Sequence, residues 1–134
     1  EAVSRGARLL RGGKRREAFV EPAVLENVDS AMRLWCEEIF GPVAVLAPYR
    51  DFDEALRMAN DSRYGLQAGV YTSDIARARE AFERLDVGGV IVNHPSTFRV
   101  DPMPYGGVKD SGFGREGVRS AIEELTEPRV LVFA

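Results

Sequence analysis

The sequence has one cysteine, one histidine and no long apolar run, and each shortage excludes a class of protein. A single cysteine rules out an internal disulfide, so we expect a reducing, cytoplasmic environment. One cysteine and one histidine cannot form a metal site of the usual composition, so no metal is predicted. No apolar stretch approaches the roughly 20 residues needed to cross a bilayer, which predicts no membrane partner.

The charge is nearly balanced, with 18 Lys and Arg residues against 21 Asp and Glu residues. The small net charge of −3 and the lack of a basic stripe argue against a nucleic-acid partner. Hydrophobic residues make up 45% of the 134 positions, which is too many for a disordered chain and suits one domain. The chain begins at Glu1 without a methionine, so we expect it to be part of a longer protein.

The hydrophobic pattern predicts an α/β fold built on a parallel sheet. Residues 43–46 form an apolar run between two prolines, which is typical of a strand buried on both faces. Two further strands are predicted at residues 66–72 and 90–92, and a helix follows each of the first two strands. Right-handed connections would make this βαβαβ arrangement a parallel sheet with covering helices.

The remaining elements have less regular patterns. Residues 1–11 are expected to form the end of an amphipathic helix, and residues 19–20 and 24–25 short extended segments. A long loop over residues 94–114 is interpreted as functional, because structureless loops of that length are uncommon in compact domains. After a third helix, residues 129–134 form an apolar final strand with no obvious partner in this chain. The helix between the second and third strands, capped by Ser73 or Asp74, is predicted to bury Ile75, Ala78, Phe82 and Leu85.

Two glycine-rich stretches resemble nucleotide-binding loops but lack the required context. Residues 112–117 read G-x-G-x-x-G, yet a loop precedes them where the dinucleotide fingerprint needs a strand. Residues 106–109 lack the Gly-Lys-Ser/Thr order of a phosphate-binding loop. Neither stretch is therefore interpreted as a phosphate site.

Cys36 and His94 are the only side chains of their types. Two glutamates follow Cys36 directly and disfavour its thiolate, so we interpret Cys36 as structural. His94 follows a buried strand, a position that suits either an active-site residue or an anchor for the long loop. Both interpretations of His94 stay open.

Glu38 and Phe40 lie two residues apart on a predicted extended segment, so their side chains share one face. A carboxylate is the acceptor that ribose hydroxyls need, and an aromatic ring suits a nicotinamide. The alternative is an ordinary surface glutamate beside a core phenylalanine.

Four motifs occur in order along the chain: EEIFGPV at 37–43, ANDSRYGLQAGVYT at 59–72, GGVIVN at 88–93 and MPYGGVKDSGFGREG at 103–117. Together they resemble the C-terminal portion of the NAD(P)-dependent aldehyde dehydrogenase superfamily over essentially the whole chain. In that family a cysteine thiolate attacks an aldehyde and hydride passes to the nicotinamide. A glutamate-activated water then releases the carboxylic acid.

The resemblance implies roles for particular side chains. Glu38 would bind the nicotinamide ribose and Phe40 would pack beside the nicotinamide, with Leu66 lining the same region. Asn93 would hold the loop near the catalytic centre. Glu116 would join a buried polar network with a residue upstream. The remaining assignments are Phe98 and Tyr105 along the aldehyde tunnel and a pairing of Arg115 with Glu127.

Arg99 invites a sharper hypothesis about the substrate. Its guanidinium could offer two parallel hydrogen bonds to a carboxylate or phosphate on the aldehyde. The sequence resembles members that take small hydroxy- or anion-bearing aldehydes, such as lactaldehyde-type enzymes. The alternative is a surface ion pair between Arg99 and Asp101.

The resemblance also implies a domain plan. Residues 1–110 would be part of the catalytic domain, residues 111–128 a helix bridging to the cofactor domain, and residues 129–134 an oligomerisation strand. The nucleophilic cysteine, the general base and the domain that binds NAD or NADP would lie upstream, so we expect the chain alone to be inactive. We expect a homo-oligomer, dimer or tetramer, acting on a small aldehyde. A truncated assembly module or a small ligand-binding domain are the alternatives.

Overall fold

The computed structural model describes residues 1–134, which divide into two compact units, Glu1–Phe52 and Asp53–Ala134. Both contain helices and short strands, so the fold is α/β with mixed sheets. No helix combines the length and the apolar character needed to cross a membrane.

The first unit is built on a three-stranded sheet. Its elements are a 3-10 helix (Val3–Arg5), β1 (Arg8–Arg11), β2 (Arg15–Arg16), β3 (Phe19–Val20), β4 (Ala23–Glu26), α1 (Arg33–Cys36) and β5 (Val43–Leu46). β4 lies between β1 and β5, antiparallel to the first and parallel to the second, while β2 and β3 form a separate antiparallel pair. The extended segments predicted around residues 19–20 and 24–25 are therefore confirmed as strands. The buried core of this unit consists of Ala2, Ala7, Ala23, Leu25, Val28 and Met32.

The helix predicted over residues 1–11 is wrong. Only one 3-10 turn forms, and it ends at Gly6, whose φ of +105° suits glycine. Arg8–Arg11 is strand β1 instead, because pairing with β4 supplies its backbone hydrogen bonds and Arg8 forms an ion pair with Glu26. Tertiary pairing outweighs a weak helical pattern here.

The second unit contains a parallel βαβ motif. Its elements are α2 (Phe52–Asn60, which begins at the last residue of the first unit), β6 (Tyr64–Gly65), β7 (Gln67–Val70), α3 (Ile75–Arg84), β8 (Gly89–Val92), β9 (Val108–Lys109) and α4 (Val118–Leu125). β7 pairs in parallel with β8 across α3, as predicted, and β6 pairs antiparallel with β9. The hydrogen bonds of β5 go to β4, so a parallel sheet continuing from β5 to β7 stays a prediction.

Helix α3 begins as predicted but turns a different face inward. The Asp74 carboxylate accepts a hydrogen bond from the Ala76 N–H (2.8 Å), which decides between the two candidate caps. Ala78, Ala81 and Leu85 are buried, whereas Ile75 is 84% and Phe82 71% exposed. The predicted inner stripe is thus wrong for Ile75 and Phe82, because the small Ala78 and Ala81 side chains face inward and leave both bulky residues on the open side.

Residues 129–134 form no strand within this chain. Their apolar side chains are open to solvent, with Val130 and Phe133 each 90% exposed. A strand requires a neighbouring edge to pair with, so the oligomerisation strand stays a prediction.

Candidate functional site

Asn93 lies at the carboxyl end of β8 and ties it to the end of β7. Its φ of +58° is in the left-handed region, which asparagine tolerates better than most residues. The side-chain oxygen accepts from the Thr72 N–H (2.9 Å), and the side-chain nitrogen donates to the Thr72 carbonyl (2.9 Å). The Asn93 N–H donates to the Val70 carbonyl (2.8 Å). Three hydrogen bonds therefore hold the point where the chain leaves the sheet and the long loop begins.

The first part of that loop is closed by a ring contact. The His94 and Phe98 rings meet edge to face, with centroids 4.7 Å apart. The Phe98 N–H donates to the Pro95 carbonyl (3.0 Å). This geometry favours the anchoring interpretation of His94, since its ring packs on the loop that it begins.

Arg99, Tyr105 and Glu116 form one cluster, which we call the arginine cluster. The Arg99 guanidinium lies over the Tyr105 ring at 4.4 Å and donates to the Glu116 carboxylate (2.8 Å). Backbone hydrogen bonds run both ways between Tyr105 and Glu116 (3.0 and 2.6 Å). Arg99 thus pairs with Glu116 and not with Asp101, so the predicted partner is wrong, although the two side chains do form an exposed ion pair (43% and 65% exposed). Arg99 and Glu116 are 17 positions apart, and the backbone bridge between Tyr105 and Glu116 brings them together. The spacing of the two residues in the sequence does not indicate this contact.

The second part of the loop is bonded to the chain around β6. The Gly65 N–H donates to the Ser111 hydroxyl (2.9 Å), and the Arg63 guanidinium donates to the Asp110 carboxylate (2.6 Å). A Cβ atom at Gly88 would overlap the Gly106 carbonyl oxygen, so the loop passes directly over that glycine. Such close backbone approach is possible only because residue 88 has no side chain.

The resemblance implied a pairing of Arg115 with Glu127, but the structure does not show it. Its guanidinium donates to the carbonyl oxygens of Gly107 (2.9 Å) and Gly114 (2.7 Å), and its backbone N–H donates to the Glu124 carboxylate (2.8 Å). The fold thus uses Arg115 to satisfy loop carbonyls, with Glu124 of α4 as the acidic partner nearby. Glu127 lies beyond the end of α4, where the chain has no regular structure.

A cavity of about 490 Å³ lies beside the arginine cluster. Leu66, Tyr105 and Glu116 share its wall with Phe113 and Arg115. Leu66 is 39% exposed, so its side chain is free to contact a ligand. Four of the side chains assigned from the resemblance (Leu66, Tyr105, Arg115 and Glu116) therefore line one space, which combines apolar, aromatic and charged surfaces.

In the first unit, Glu38 and Phe40 line a cavity of about 550 Å³ on the segment between α1 and β5. Phe40 is 93% exposed, so the core-phenylalanine alternative is wrong. Backbone hydrogen bonds hold the end of this segment, where the Ala23 N–H donates to the Pro42 carbonyl (2.8 Å). The segment presents an acid and an aromatic ring to open space.

The residues before Glu38 carry a local ion pair. The Arg33 guanidinium donates to both carboxylate oxygens of Glu37 at 2.9–3.0 Å. Hydrogen bonds to Glu37, and then its negative charge, raise the pKa of Arg33 above its ordinary value. The thiol of Cys36 donates to the Met32 carbonyl within the same turn (3.3 Å), a local bond that suits the structural interpretation.

Residues 1–131 match the aldehyde dehydrogenase family. The chain belongs to that family. It is 51% identical over 132 residues to the 3-sulfolactaldehyde dehydrogenase of Priestia aryabhattai, covering 98% of this chain and 28% of that protein. Aldehyde dehydrogenase 21 of Physcomitrella patens, solved with the reaction product succinate, superposes with a TM-score of 0.96 at 50% identity over 99% of this chain and 28% of that one.

A third similar protein is glyceraldehyde-3-phosphate dehydrogenase GapN of Methanocaldococcus jannaschii, solved with NADP. Its TM-score is 0.86 at 43% identity, covering 92% of this chain and 27% of that one. The aldehyde dehydrogenase chain described here thus spans about 28% of the relatives that it matches. Structural neighbours in the family bind NAD or NADP.

Sequence reasoning missed a residue that holds the loop before the arginine cluster. Gln67, the first residue of β7, donates from its side-chain nitrogen to the carbonyl oxygens of Ser96 (2.6 Å) and Phe98 (3.3 Å). A polar side chain that opens an otherwise apolar strand was the available signal. Its partners are backbone atoms 29 and 31 positions away, which no local pattern indicates.

Proposed function

We propose that this chain is the C-terminal segment of an NAD(P)-dependent aldehyde dehydrogenase that oxidises an aldehyde to a carboxylic acid. The observation that carries the proposal is the cavity that Leu66, Tyr105 and Glu116 line together. In this proposal the nucleophilic cysteine and the general base lie upstream of Glu1. The chain supplies binding surfaces, so on its own it is expected to be inactive in the chemical step.

The segment with Glu38 and Phe40 has the chemistry that a nicotinamide cofactor requires. The Glu38 carboxylate can accept hydrogen bonds from ribose hydroxyls, and the exposed Phe40 ring can pack beside a flat heterocycle. NAD or NADP, when bound, would accept the hydride from the aldehyde carbon after the upstream cysteine thiolate has added to it. The chain by itself leaves the Phe40 side chain 93% exposed. Contact with the cofactor would bury this aromatic ring and remove its apolar surface from water.

We infer the finer architecture from the same proposal. Residues 1–110 belong to the catalytic domain, residues 111–128 bridge to the cofactor domain, and residues 129–134 pair with a strand of another subunit. The exposed Val130 and Phe133 support this pairing, since an apolar strand edge open to water favours association. The complete enzyme would then be a cytoplasmic dimer or tetramer.

The substrate that we propose is an aldehyde with a second, anionic group. Arg99 has five N–H donors, and its hydrogen bond to Glu116 uses one of them. The guanidinium lies over the Tyr105 ring, and its remaining N–H groups can form two bonds to a carboxylate, phosphate or sulfonate. The similar proteins named above act on 3-sulfolactaldehyde and glyceraldehyde 3-phosphate, or hold succinate, all of which are anionic.

The test of the substrate class is Arg99→Gln in the longer natural enzyme. Hydrogen bonds to charged groups contribute about 1.5–3 kcal/mol, so kcat/KM for succinic semialdehyde should fall about 10- to 100-fold. The kcat/KM for butanal, which is neutral and of the same length, should change less than about twofold. Equal losses for both aldehydes would show that Arg99 does not bind the anionic group.

A second candidate function is a truncated, non-catalytic module that assembles with full-length subunits. The exposed apolar residues 130–133 favour it, since they require a partner edge. The mass of the native polypeptide, detected with an antibody to this segment, distinguishes the two functions. A band several times larger than 14.8 kDa supports the enzyme, whereas a band at 14.8 kDa supports the assembly module.

A further inference from the structure

Gln67 connects the sheet to the loop that carries Phe98 and Arg99. Its side-chain nitrogen donates to the carbonyl oxygens of Ser96 (2.6 Å) and Phe98 (3.3 Å). The second acceptor belongs to the residue directly before Arg99. One amide group thus holds two points of the loop, the later of them in the residue that precedes Arg99 of the arginine cluster.

The loop lies against the face of β7 from which Gln67 projects. Gly69, two residues further along the strand, shares that face. A Cβ atom at Gly69 would come within 2.8 Å of the His94 carbonyl oxygen and 3.1 Å of the Ser96 N–H nitrogen. The loop backbone therefore packs directly on the sheet at Gly69 and is bonded to it at Gln67.

Gly89 on β8 makes room for the Gln67 side chain. The two residues are paired in the parallel register of β7 and β8. A Cβ atom at Gly89 would lie 3.0 Å from the Gln67 side-chain oxygen. Absence of a side chain at position 89 lets the amide lie flat across the neighbouring strand toward the loop.

The Gln67 oxygen is buried and accepts no hydrogen bond in this chain. A buried acceptor without a donor is destabilising, so an apolar side chain of similar size would avoid that cost. The nitrogen end of the same amide makes both loop contacts. Packing alone therefore does not account for glutamine at this position, whereas holding the loop does.

We propose that Gln67 is a positioning residue that sets substrate selection by fixing the loop that presents Phe98 and Arg99. The inference rests on the proposed function, in which Arg99 binds the anionic group of the aldehyde. Gln67 acts through the loop backbone and does not touch the substrate. Loss of its two hydrogen bonds leaves Arg99 chemically intact but lets residues 96–99 move relative to the sheet.

The test compares Gln67→Glu, Gln67→Met and Arg99→Gln in the full-length enzyme. Gln67→Glu keeps the shape but turns a carboxylate toward two carbonyl oxygens, and Gln67→Met removes the donors without adding charge. Both Gln67 variants should raise KM for succinic semialdehyde about tenfold, leave kcat within about twofold, and leave kcat/KM for butanal nearly unchanged. Glu83→Gln, on the exposed side of α3, is the control: it replaces glutamate with glutamine, the reverse of Gln67→Glu, and should alter none of these constants.

Hydrogen exchange supplies a second measurement that does not depend on turnover. Amides of a peptide spanning residues 94–100 should exchange about tenfold faster in Gln67→Met, while those of α3 keep their wild-type rates. If Gln67→Glu fails to fold, the kinetic constants and the hydrogen exchange of Gln67→Met together test the positioning role. Unchanged exchange in the loop would overturn the positioning role.

The outcomes separate this inference from the function on which it rests. If Arg99→Gln loses the preference for the anionic aldehyde and the Gln67 variants keep it, Gln67 is not a positioning residue and the anion site stands. If the Gln67 variants lose activity toward both aldehydes equally, their role is only structural and the inference is wrong. If Arg99→Gln itself keeps the preference, the anion site is wrong and this inference falls with it.

Discussion

The two candidate ligand-binding segments are held in different ways. In the loop over residues 94–116, side chains bond to distant backbone atoms, as Asn93 does with Thr72 just before the loop and Ser111 with Gly65 within it. In the segment over residues 38–42, backbone hydrogen bonds at Gly41 and Pro42 hold the chain, and Phe40 projects into solvent. The loop is therefore shaped by its own unit, whereas the segment requires an external surface to bury its aromatic ring.

The comparison predicts that a glycine-to-alanine substitution costs far more stability near the loop than in the segment over residues 38–42. Gly88→Ala would drive a methyl group into the Gly106 carbonyl oxygen, so we expect the loop to lose about 3 kcal/mol of local stability. Gly41→Ala meets no atom within 4 Å and should cost less than about 0.5 kcal/mol. Hydrogen exchange of peptides spanning each glycine measures both values, and similar losses at the two sites would contradict the comparison.

Asn93 tests how much the side-chain bonds contribute at the start of the loop. Asn93→Ala removes two hydrogen bonds and places alanine at a φ of +58°, which should cost about 2 kcal/mol. Asn93→Gly removes the same bonds but tolerates that φ, so about 1 kcal/mol is expected. Exchange rates of the Thr72 and Asn93 amides provide the measurement, and equal costs for the two variants would argue against backbone strain as a contributor.

Phe40 tests the segment over residues 38–42, where we expect a substitution to have the smallest effect on stability. Phe40→Ala should leave exchange in the first unit unchanged, because the ring is 93% exposed. The KM for NAD or NADP in the full-length enzyme should rise about tenfold, as expected for loss of an aromatic packing partner worth about 1.4 kcal/mol. Leu46→Ala, at an exposed position of β5, serves as the apolar control. A cofactor KM that does not change would remove Phe40 from the proposed cofactor site.

Several features of the fold could be predicted because their causes are local. A cap at Ser73 or Asp74, a strand at residues 43–46 and the parallel pairing around α3 depend on residues within one or two elements. The predicted burial of that strand on both faces is wrong, since its alternate residues are exposed and Leu46 is 52% exposed. The inward face of α3 could not be predicted, since Ile75 and Phe82 fit the helical period as well as Ala81 does. Only the shape of the surface beneath the helix selects the smaller residues.

The same distinction between local and long-range causes applies to the candidate site. Amino-acid sequence alone indicated the family and the α/β class, because motif spacing and hydrophobic periodicity can be read directly from the order of the residues. The tertiary structure decided that Arg99 pairs with Glu116, that Arg115 bonds to loop carbonyls, and that Gln67 holds the loop. These contacts join residues far apart in the chain, and the partners are often backbone atoms, which every residue carries and no sequence motif marks.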